Sequence, residues 1–267
     1  MKWGKVAIVI VGALIVTALG IDAADTISGN GGTLLSQVIR SEGGCGQGMV
    51  PIDALPGVTC VDAFEVSPGP GCPIKSPSSM VETIKNAETK ECTGVSEEGR
   101  IPWSYVTRDQ ALSLCARSGK RLPSNEEWYG LVLGMVEVER GCNIDSRKVS
   151  ATGAYQECVA PHGASDLIGN VWEWTSDDVV NGMYKNRSLP ESGYVSQVDN
   201  AGVAMLTEKE HSQELYGKDY FWSDAEGLFG IVRGGYYDSG IDAGLYTVHA
   251  DTAPNTASIG IGFRCVQ

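Results

Sequence analysis

The chain has 267 residues, 42% of them hydrophobic, which is enough for one large globular domain or two small ones. Its formal net charge of -13 excludes nucleic acid as an expected partner, because binding a phosphate backbone requires a basic surface. The 34 glycines, well above the usual share of about 7%, predict many tight turns and a loop-rich domain.

The N-terminus has the composition of an export segment. Two lysines precede an apolar run over residues 6–20, with the positive charges on the side that stays in the cytoplasm. The run is shorter than the roughly 20 residues that span a bilayer, which favours a cleaved signal, whereas Trp3 and Ile21 favour an uncleaved anchor. We expect residues 1–21 to be a signal peptide or a membrane anchor, and the rest of the chain to be extracellular or on the cell surface.

Residues 22–47 are polar and glycine-rich around one short apolar patch, and they are interpreted as a linker. Beyond them, the alternating apolar residues of CVDAFEV and a proline and glycine corner at 68–73 predict a strand followed by a turn. The globular domain is therefore expected to cover residues 48–267.

Two helices follow in this half of the chain. The first is predicted over Thr107–Arg117, with Thr107 as the N-cap and Gly119 as the stop. The second is predicted from Asn125 to about Val138, because Ser124 and Glu127 have the spacing of a capping box. After Gly141 the pattern dissolves into short segments separated by turn residues.

The eight cysteines are expected to form disulfides, since an exported chain meets oxidising conditions. Closeness in sequence suggests pairing Cys142 with Cys158, and further pairs Cys45 with Cys60 and Cys72 with Cys92. The chain has no Cys-x-x-Cys motif, so a zinc ribbon or a redox pair of that type has no support.

Four phrases occur in a fixed order along the chain: IPWSYVTRDQALSLCARSGKRLPSNEEW at 101–128, SDLIGNVWEWTSD at 165–177, VRGGYYD at 232–238 and IGFRCV at 261–266. Together they resemble the formylglycine-generating-enzyme family. The resemblance implies an α+β, C-type lectin-like fold of that type, loop-rich, with two main helices packed on small twisted sheets. It also implies a disulfide between Cys115 and Cys265.

The phrase GNVWEWT suggests both a core and a metal site. Trp172 and Trp174, two apart, project from one side of an extended segment and are expected in the core, while Glu173 points the other way. The resemblance implies a possible structural calcium ion held by Asn170, Val171 and Glu173, whose oxygen ligands suit that ion. The alternative is that the Glu173 carboxylate accepts hydrogen bonds from neighbouring backbone.

An enzymatic function is not expected. The family's oxidase chemistry uses two cysteines between the Gly-Gly and Gly-Phe-Arg-Cys motifs, and residues 235–264 contain none. The three histidines, His162, His211 and His249, are too few for the histidine cluster of related iron enzymes, and His162 and His211 are interpreted as solvent-exposed bystanders. We assign no catalytic residue and no required cofactor, with an inactive or divergent oxidase as the alternative.

The C-terminal segment, residues 232–267, is predicted to be a binding surface. Arg233 and Arg264 are expected to tie loops together, because a guanidinium offers five donors. Between them, twelve side chains combine rigid aromatic area with adaptable hydrogen bonding. They are Tyr236, Tyr237, Asp238, Ser239, Ile241, Asp242, Tyr246, Thr247, His249, Asp251, Thr252 and Asn255.

The spacing of RGG, AG, AP and GIGFRC in this segment resembles the variable region of diversity-generating retroelement target proteins. Adenine-specific mutagenesis of AAC-type codons cannot produce Lys, Glu, Gln, Met or Trp, and residues 236–259 contain none of these. The resemblance implies an exported or surface-anchored variable receptor or adhesin. A protein is expected as its macromolecular partner rather than a sugar, because the short calcium-plus-carbonyl sugar motif of true lectins is not evident in the sequence.

A structural role is the remaining alternative. The lysine-flanked apolar start, followed by DTISGNGGTLLSQVI, could be a pilin-like N-terminus that assembles into a filament. Against this, the apolar run is short for a filament core and the glycines at 29–32 would break a helix.

Overall fold

Both predicted helices are present in the computed structural model, and a third precedes them. The structure describes residues 44–53, 55–135, 141–211 and 214–267. Its helices are α1 (Met80–Glu88), α2 (Arg108–Arg117) and α3 (Asn125–Val132). Thr107 and Ser124 cap α2 and α3 through complete capping boxes, with Gln110 and Glu127 as the reciprocal partners. The capping signals therefore located both helix starts.

The C-terminal end of α3 differs from the prediction. The helix ends at Val132 instead of continuing to about Val138, because Leu133 already has an extended ψ of 134°. Gly134 follows with φ of 88°, a left-handed conformation that glycine adopts without steric cost. Of the apolar residues whose helical spacing suggested the helix, Trp128, Leu131 and Val132 lie within it and Met135 lies beyond its end.

Helix α1 was not predicted because it buries polar side chains and exposes apolar ones, the reverse of the usual pattern. Its apolar side chains Met80, Val81 and Ile84 are exposed, while Thr83 and Asn86 are buried. Asn86 donates to the carbonyl of Ile74 at 2.8 Å and accepts from the Ile74 amide at 2.9 Å. A search for one apolar helix face cannot find such a helix.

In the part of the chain that the structure describes, thirteen strands accompany the helices. Their bounds are β1 (Met49–Pro51), β2 (Cys60–Asp62), β3 (Ser67–Pro68), β4 (Gly94–Val95), β5 (Trp172–Val180), β6 (Met183–Tyr184), β7 (Arg187–Ser188), β8 (Gly193–Val198), β9 (Ala204–Glu208), β10 (Tyr220–Trp222), β11 (Leu228–Arg233), β12 (Val248–Thr252) and β13 (Ile261–Gly262). Short 3₁₀ turns occupy Glu214–Tyr216 and Gly240–Asp242. The loop-rich α+β class is confirmed.

The strands form one nine-stranded sheet and two two-stranded ones. The order in the large sheet is β7-β6-β5-β11-β12-β10-β8-β9, and β13 pairs with β5. Most neighbours are antiparallel, but β10 and β12 are parallel, as are β13 and β5. This sheet is larger than the small sheets expected, and β11, where the C-terminal segment begins, lies near its centre.

Hydrophobic clusters cover the large sheet. On one face, Trp174 of β5 and Val232 of β11 pack with Leu114 of α2. On the other face, Phe221 of β10 and Val248 of β12 belong to a second cluster. A further cluster surrounds Trp128 of α3. The expected core position of Trp172 and Trp174 is confirmed, since they are 6% and 0% exposed.

Disulfides close the loops as expected. Cys115 of α2 bonds to Cys265, 150 residues away, so that the last residues are linked covalently to a helix. The pairs Cys72–Cys92 and Cys142–Cys158 are also present. Cys45 and Cys60 are disulfide-bonded as well, and no described cysteine is free.

Contact density divides the chain into Met1–Cys45 and Gly46–Gln267. The second unit contains all the elements given above, and its start is close to the predicted boundary at residue 48. The predicted signal or anchor at 1–21, and nearly all of the predicted linker at 22–47, lie outside the described residues. Within the described ranges, no helix combines the length and apolar character needed to cross a membrane.

Candidate functional site

Arg233 holds the beginning of the C-terminal segment from inside the protein. Its side chain is fully buried, with the guanidinium 4.9 Å from the centre of a Trp128 ring. The guanidinium donates to the carbonyls of Gly202 at 3.1 Å and Leu245 at 2.9 Å. Burial lowers the pKa of Arg233 to about 10. Arg233 therefore has the structural role that was predicted.

Arg264 holds the end of the segment in the same way. Its guanidinium forms a buried ion pair with Glu173, with Nη2 2.6 Å from Oε1, and donates to the carbonyls of Asp62 at 3.0 Å and Ser165 at 2.8 Å. Burial alone would lower the pKa of Arg264, but the Glu173 carboxylate raises it above its ordinary value. One side chain thus joins β5, β2 and the Ser165 loop.

The residues expected to hold calcium are already bonded to protein groups. Glu173 accepts from Arg264 through both oxygens and from the Trp128 indole at 2.7 Å. The Asn170 Oδ1 atom accepts from the Ser150 amide at 2.9 Å and from the Asn143 side chain at 3.0 Å.

The Asn170 Nδ2 group and the Val171 amide both donate to Glu65, at 2.5 and 3.1 Å. Burial raises the pKa of Glu65 well above its usual range. This arrangement does not fit a calcium ion, because an ion would have to displace Arg264 from Glu173. Calcium at Asn170, Val171 and Glu173 stays an untested prediction, and no group of three or more acidic, His or Cys side chains suited to a metal occurs among the described residues.

The backbone between the two arginines is hydrogen-bonded to the rest of the domain. Tyr237 donates to the carbonyl of Asn170 at 3.1 Å and accepts from the Arg147 amide at 3.0 Å. Gly240 donates to the carbonyl of Ile144 at 2.7 Å, and Pro254 accepts from the Arg108 amide at 3.1 Å. These bonds involve main-chain atoms of the segment, so they do not depend on its side chains.

Four of the twelve predicted side chains gather on one face of the large sheet. His249 stacks on Trp222 with ring centres 4.0 Å apart, and its Nδ1 lies 2.8 Å from Asp251 Oδ1. Tyr236 stacks on Trp172 at 6.4 Å, and Tyr237 contacts Tyr236 at 4.8 Å.

Three other predicted residues lie near a second aromatic group. The Tyr246 ring contacts Tyr129 at 6.0 Å and Tyr216 at 5.0 Å, and the Tyr246 amide donates to Asp219 at 2.6 Å. Burial raises the pKa of Tyr246 to about 12. Thr247 is fully buried and donates to the carbonyl of Asp242. Thr247 therefore offers no exposed surface to a ligand.

The remaining predicted residues lie on turns or at a strand end. Asp238, Ile241 and Asn255 are exposed. Ser239 accepts from the Tyr236 amide at 3.0 Å and so stabilises the turn, and Thr252 ends β12 opposite Gly230. The segment thus contains both exposed side chains and side chains that hold it in place.

Sequence reasoning missed the aromatic residues that adjoin this segment in space. Trp222 and Tyr220 of β10 and Tyr194 of β8 were not singled out, although the phrase YFW at 220–222 places two large rings on one side of a strand. His162, interpreted as an exposed bystander, is half-buried and lies 2.8 Å from the carbonyl of Leu131. Burial lowers its pKa.

The chain is similar to a known family and to two curated proteins. Residues 139–267 match the sulfatase-modifying factor enzyme 1-like domain. The inactive C-alpha-formylglycine-generating enzyme 2 of Bos taurus is 25% identical over 131 residues, which cover 41% of this chain and 44% of the relative. Hercynine oxygenase of Mycolicibacterium smegmatis is 24% identical over 153 residues, covering 51% of this chain and 30% of the relative. The chain therefore spans less than half the length of either relative.

Among solved structures, the Major Tropism Determinant I1 variant is 14% identical with a TM-score of 0.47, covering 83% of this chain and 52% of that chain. Treponema denticola variable protein 1 is also 14% identical, with a TM-score of 0.43, covering 84% and 92%. Three of the four sequence phrases, those at 165–177, 232–238 and 261–266, lie within residues 139–267, the part of the chain that is similar to the sulfatase-modifying factor enzyme 1-like domain.

Proposed function

We propose that this protein is an exported or surface-anchored binding protein whose C-terminal surface is diversified by a retroelement, and that its partner is a protein. The observation that carries the proposal is the main-chain attachment of the segment. Tyr237 and Gly240 are held to Asn170 and Ile144 through backbone atoms alone, so exposed side chains can change while the backbone stays in place.

Two further observations support binding over catalysis. The segment between Gly235 and Arg264 contains no cysteine, so the thiolate pair of a formylglycine-generating oxidase cannot form there. The buried polar groups beside it, Glu173 and Arg264, bond to each other, and their other bonds are to protein groups: Arg264 donates to backbone carbonyls and Glu173 accepts from the Trp128 indole. The three disulfides with described geometry support export, because such bonds persist in oxidising compartments.

A genomic observation tests the diversification. We expect the neighbouring DNA to hold a reverse transcriptase gene and a near-copy of the 3' coding segment that differs almost only at adenines. Absence of both would overturn diversification and leave a binding protein with an invariant surface.

A displayed library tests whether this surface binds when its side chains change. Tyr237, Asp238, Ile241 and Asn255 would be randomised together in the full chain, and binders selected on immobilised lysozyme and on immobilised ovalbumin. A control library would randomise four exposed neighbours at the far end of the sheet, namely Val180, Met183, Ser188 and Leu228. Binders from the first library alone are expected, and equal yields from both would contradict the proposed surface.

A further inference from the structure

A row of aromatic rings on strands outside the C-terminal segment continues the surface that the segment provides. Trp222 of β10 lies opposite His249 of β12 in the parallel register, and the two rings stack at 4.0 Å with planes 3° apart. Tyr220 lies 4.6 Å from Trp222, and Tyr194 of β8 lies 5.1 Å from Tyr220. Neighbouring strands therefore place their rings side by side.

At its other end the row reaches the segment. The Trp172 ring is 6.0 Å from Trp222 and 5.0 Å from His249. Tyr236 stacks on Trp172, and Tyr237 contacts Tyr236. These contacts join seven rings, which we call the aromatic row: Tyr194, Tyr220, Trp222, His249, Trp172, Tyr236 and Tyr237.

The aromatic row is not simply part of the interior. The strand residues next to its members, Phe221 beside Trp222 and Val248 beside His249, are both 0% exposed and belong to the cluster on the opposite face. In the row itself only Trp172 is buried, and the other six rings are partly exposed. A patch of large, half-exposed rings on a sheet face is typical of an interaction surface.

The strands β8, β10 and β12, which contribute rings to the aromatic row, contain an acidic side chain but no basic lysine or arginine. Asp251 lies next to His249 with 28% of its side chain exposed, and exposed Asp238 is close enough to Tyr237 to raise the pKa of that phenol, an effect smaller than that of burial. Electron-rich ring faces beside carboxylates attract cations, and arginine most of all because its guanidinium also stacks on rings.

We propose that Tyr194, Tyr220 and Trp222, packed against the buried ring of Trp172, form a fixed aromatic floor that binds exposed arginine or lysine side chains of a partner protein, while the C-terminal side chains at its edge select among such partners. The inference rests on the proposed binding function and names the chemistry of the partner. It differs from that function in placing part of the binding surface on residues that diversification does not reach. The net charge of -13 favours basic partners in the same sense.

Calorimetric titration of the full chain with a hexa-arginine peptide tests the proposal, with hexaglutamate and cellohexaose as comparison ligands. We expect saturable binding of the arginine peptide only. Trp222→Leu should weaken it by about tenfold, the loss of one well-placed cation–π contact, while Trp222→Phe keeps a ring and most of the affinity. Tyr155→Leu removes a partly buried ring packed on the cluster around Trp128 and is the matched control.

The outcomes separate the possible explanations. Trp222→Leu changes no charge, so a general attraction between a polycation and an acidic protein would survive it, and unchanged affinity would overturn the floor. If Trp222→Leu fails to fold, Tyr220→Leu provides the same comparison. Equal binding of cellohexaose or hexaglutamate would overturn the cationic class. If no peptide binds but the displayed library still yields binders, the floor is wrong and the proposed function stands.

Discussion

Replacing Arg264 by methionine should remove a large part of the domain's stability. The Arg264 and Glu173 side chains are 0% and 1% exposed, so the substitution leaves a carboxylate buried without its cation. Removing one partner of a buried pair costs about 3–5 kcal/mol. The carbonyls of Asp62 and Ser165 also lose a donor, which costs roughly 1–3 kcal/mol for each buried group left unsatisfied. We expect a loss of at least about 4 kcal/mol from a total of about 5–15.

Urea unfolding followed by circular dichroism, with the disulfides intact, measures this loss. Arg121→Met is the control, because Arg121 also pairs with a glutamate, Glu127, at 2.6 Å but its side chain is 45% exposed. That pair is worth about 0–1 kcal/mol after solvent screening. The double variant Arg264→Met with Glu173→Gln should be more stable than Arg264→Met alone, since the uncompensated charge is gone. The reasoning fails if Arg264→Met costs no more than Arg121→Met.

Three further predictions concern pH, the disulfide and the segment. The free energy of unfolding should fall as pH rises from about 4 to about 7, and Asp219→Asn should flatten that dependence, because burial raises the pKa of Asp219 to about 7. Replacing Cys115 and Cys265 by serine should lower stability by about 4–5 kcal/mol, since the bond closes a loop of 150 residues. Tyr237→Ala should change stability by about 0.5 kcal/mol or less, whereas Thr247→Ala should cost about 1–2.

The sign of the pH effect follows from the direction of the shift. A carboxyl whose pKa is raised on folding contributes stability that is fully present below its unfolded pKa and is lost as pH rises through about 7. Thermal or urea unfolding at several pH values measures this loss of stability. If the free energy of unfolding depends equally on pH in Asp219→Asn and in the parent chain, Asp219 is not its source. Equal unfolding midpoints for the parent chain and for the variant with serine at positions 115 and 265 would refute the estimated contribution of the disulfide. Equal losses of stability for Tyr237→Ala and Thr247→Ala would refute the distinction between the partly exposed ring of Tyr237 and the fully buried side chain of Thr247.

Local signals predicted the parts of this fold that depend on few neighbours. Thr107 and Ser124 marked two helix starts because a cap is satisfied within four residues of chain. Helix α1 escaped because Thr83 and Asn86 are buried through bonds to Ser104 and Ile74, partners that only the folded chain supplies. Local periodicity does not record such partners.

The sequence predicted the two arginines that hold the candidate site, but not the aromatic residues that extend it. Arg233 and Arg264 could be assigned structural roles because a guanidinium with five donors suits a loop-rich domain. The aromatic row depends on the parallel pairing of β10 with β12, which brings Trp222 beside His249 across 27 residues. No sequence spacing specifies that pairing. The burial of Thr247 likewise depends on how the segment is seated on the domain.

The disulfide between Cys115 and Cys265 decides how a pulling force on the C-terminal segment is carried. At one end the force enters β11, which is paired on both edges by β5 and β12. At the other end it passes through the covalent bond into α2. A tethered partner drawn away from the surface therefore loads the paired strand β11 at one end of the segment and a sulfur–sulfur bond at the other.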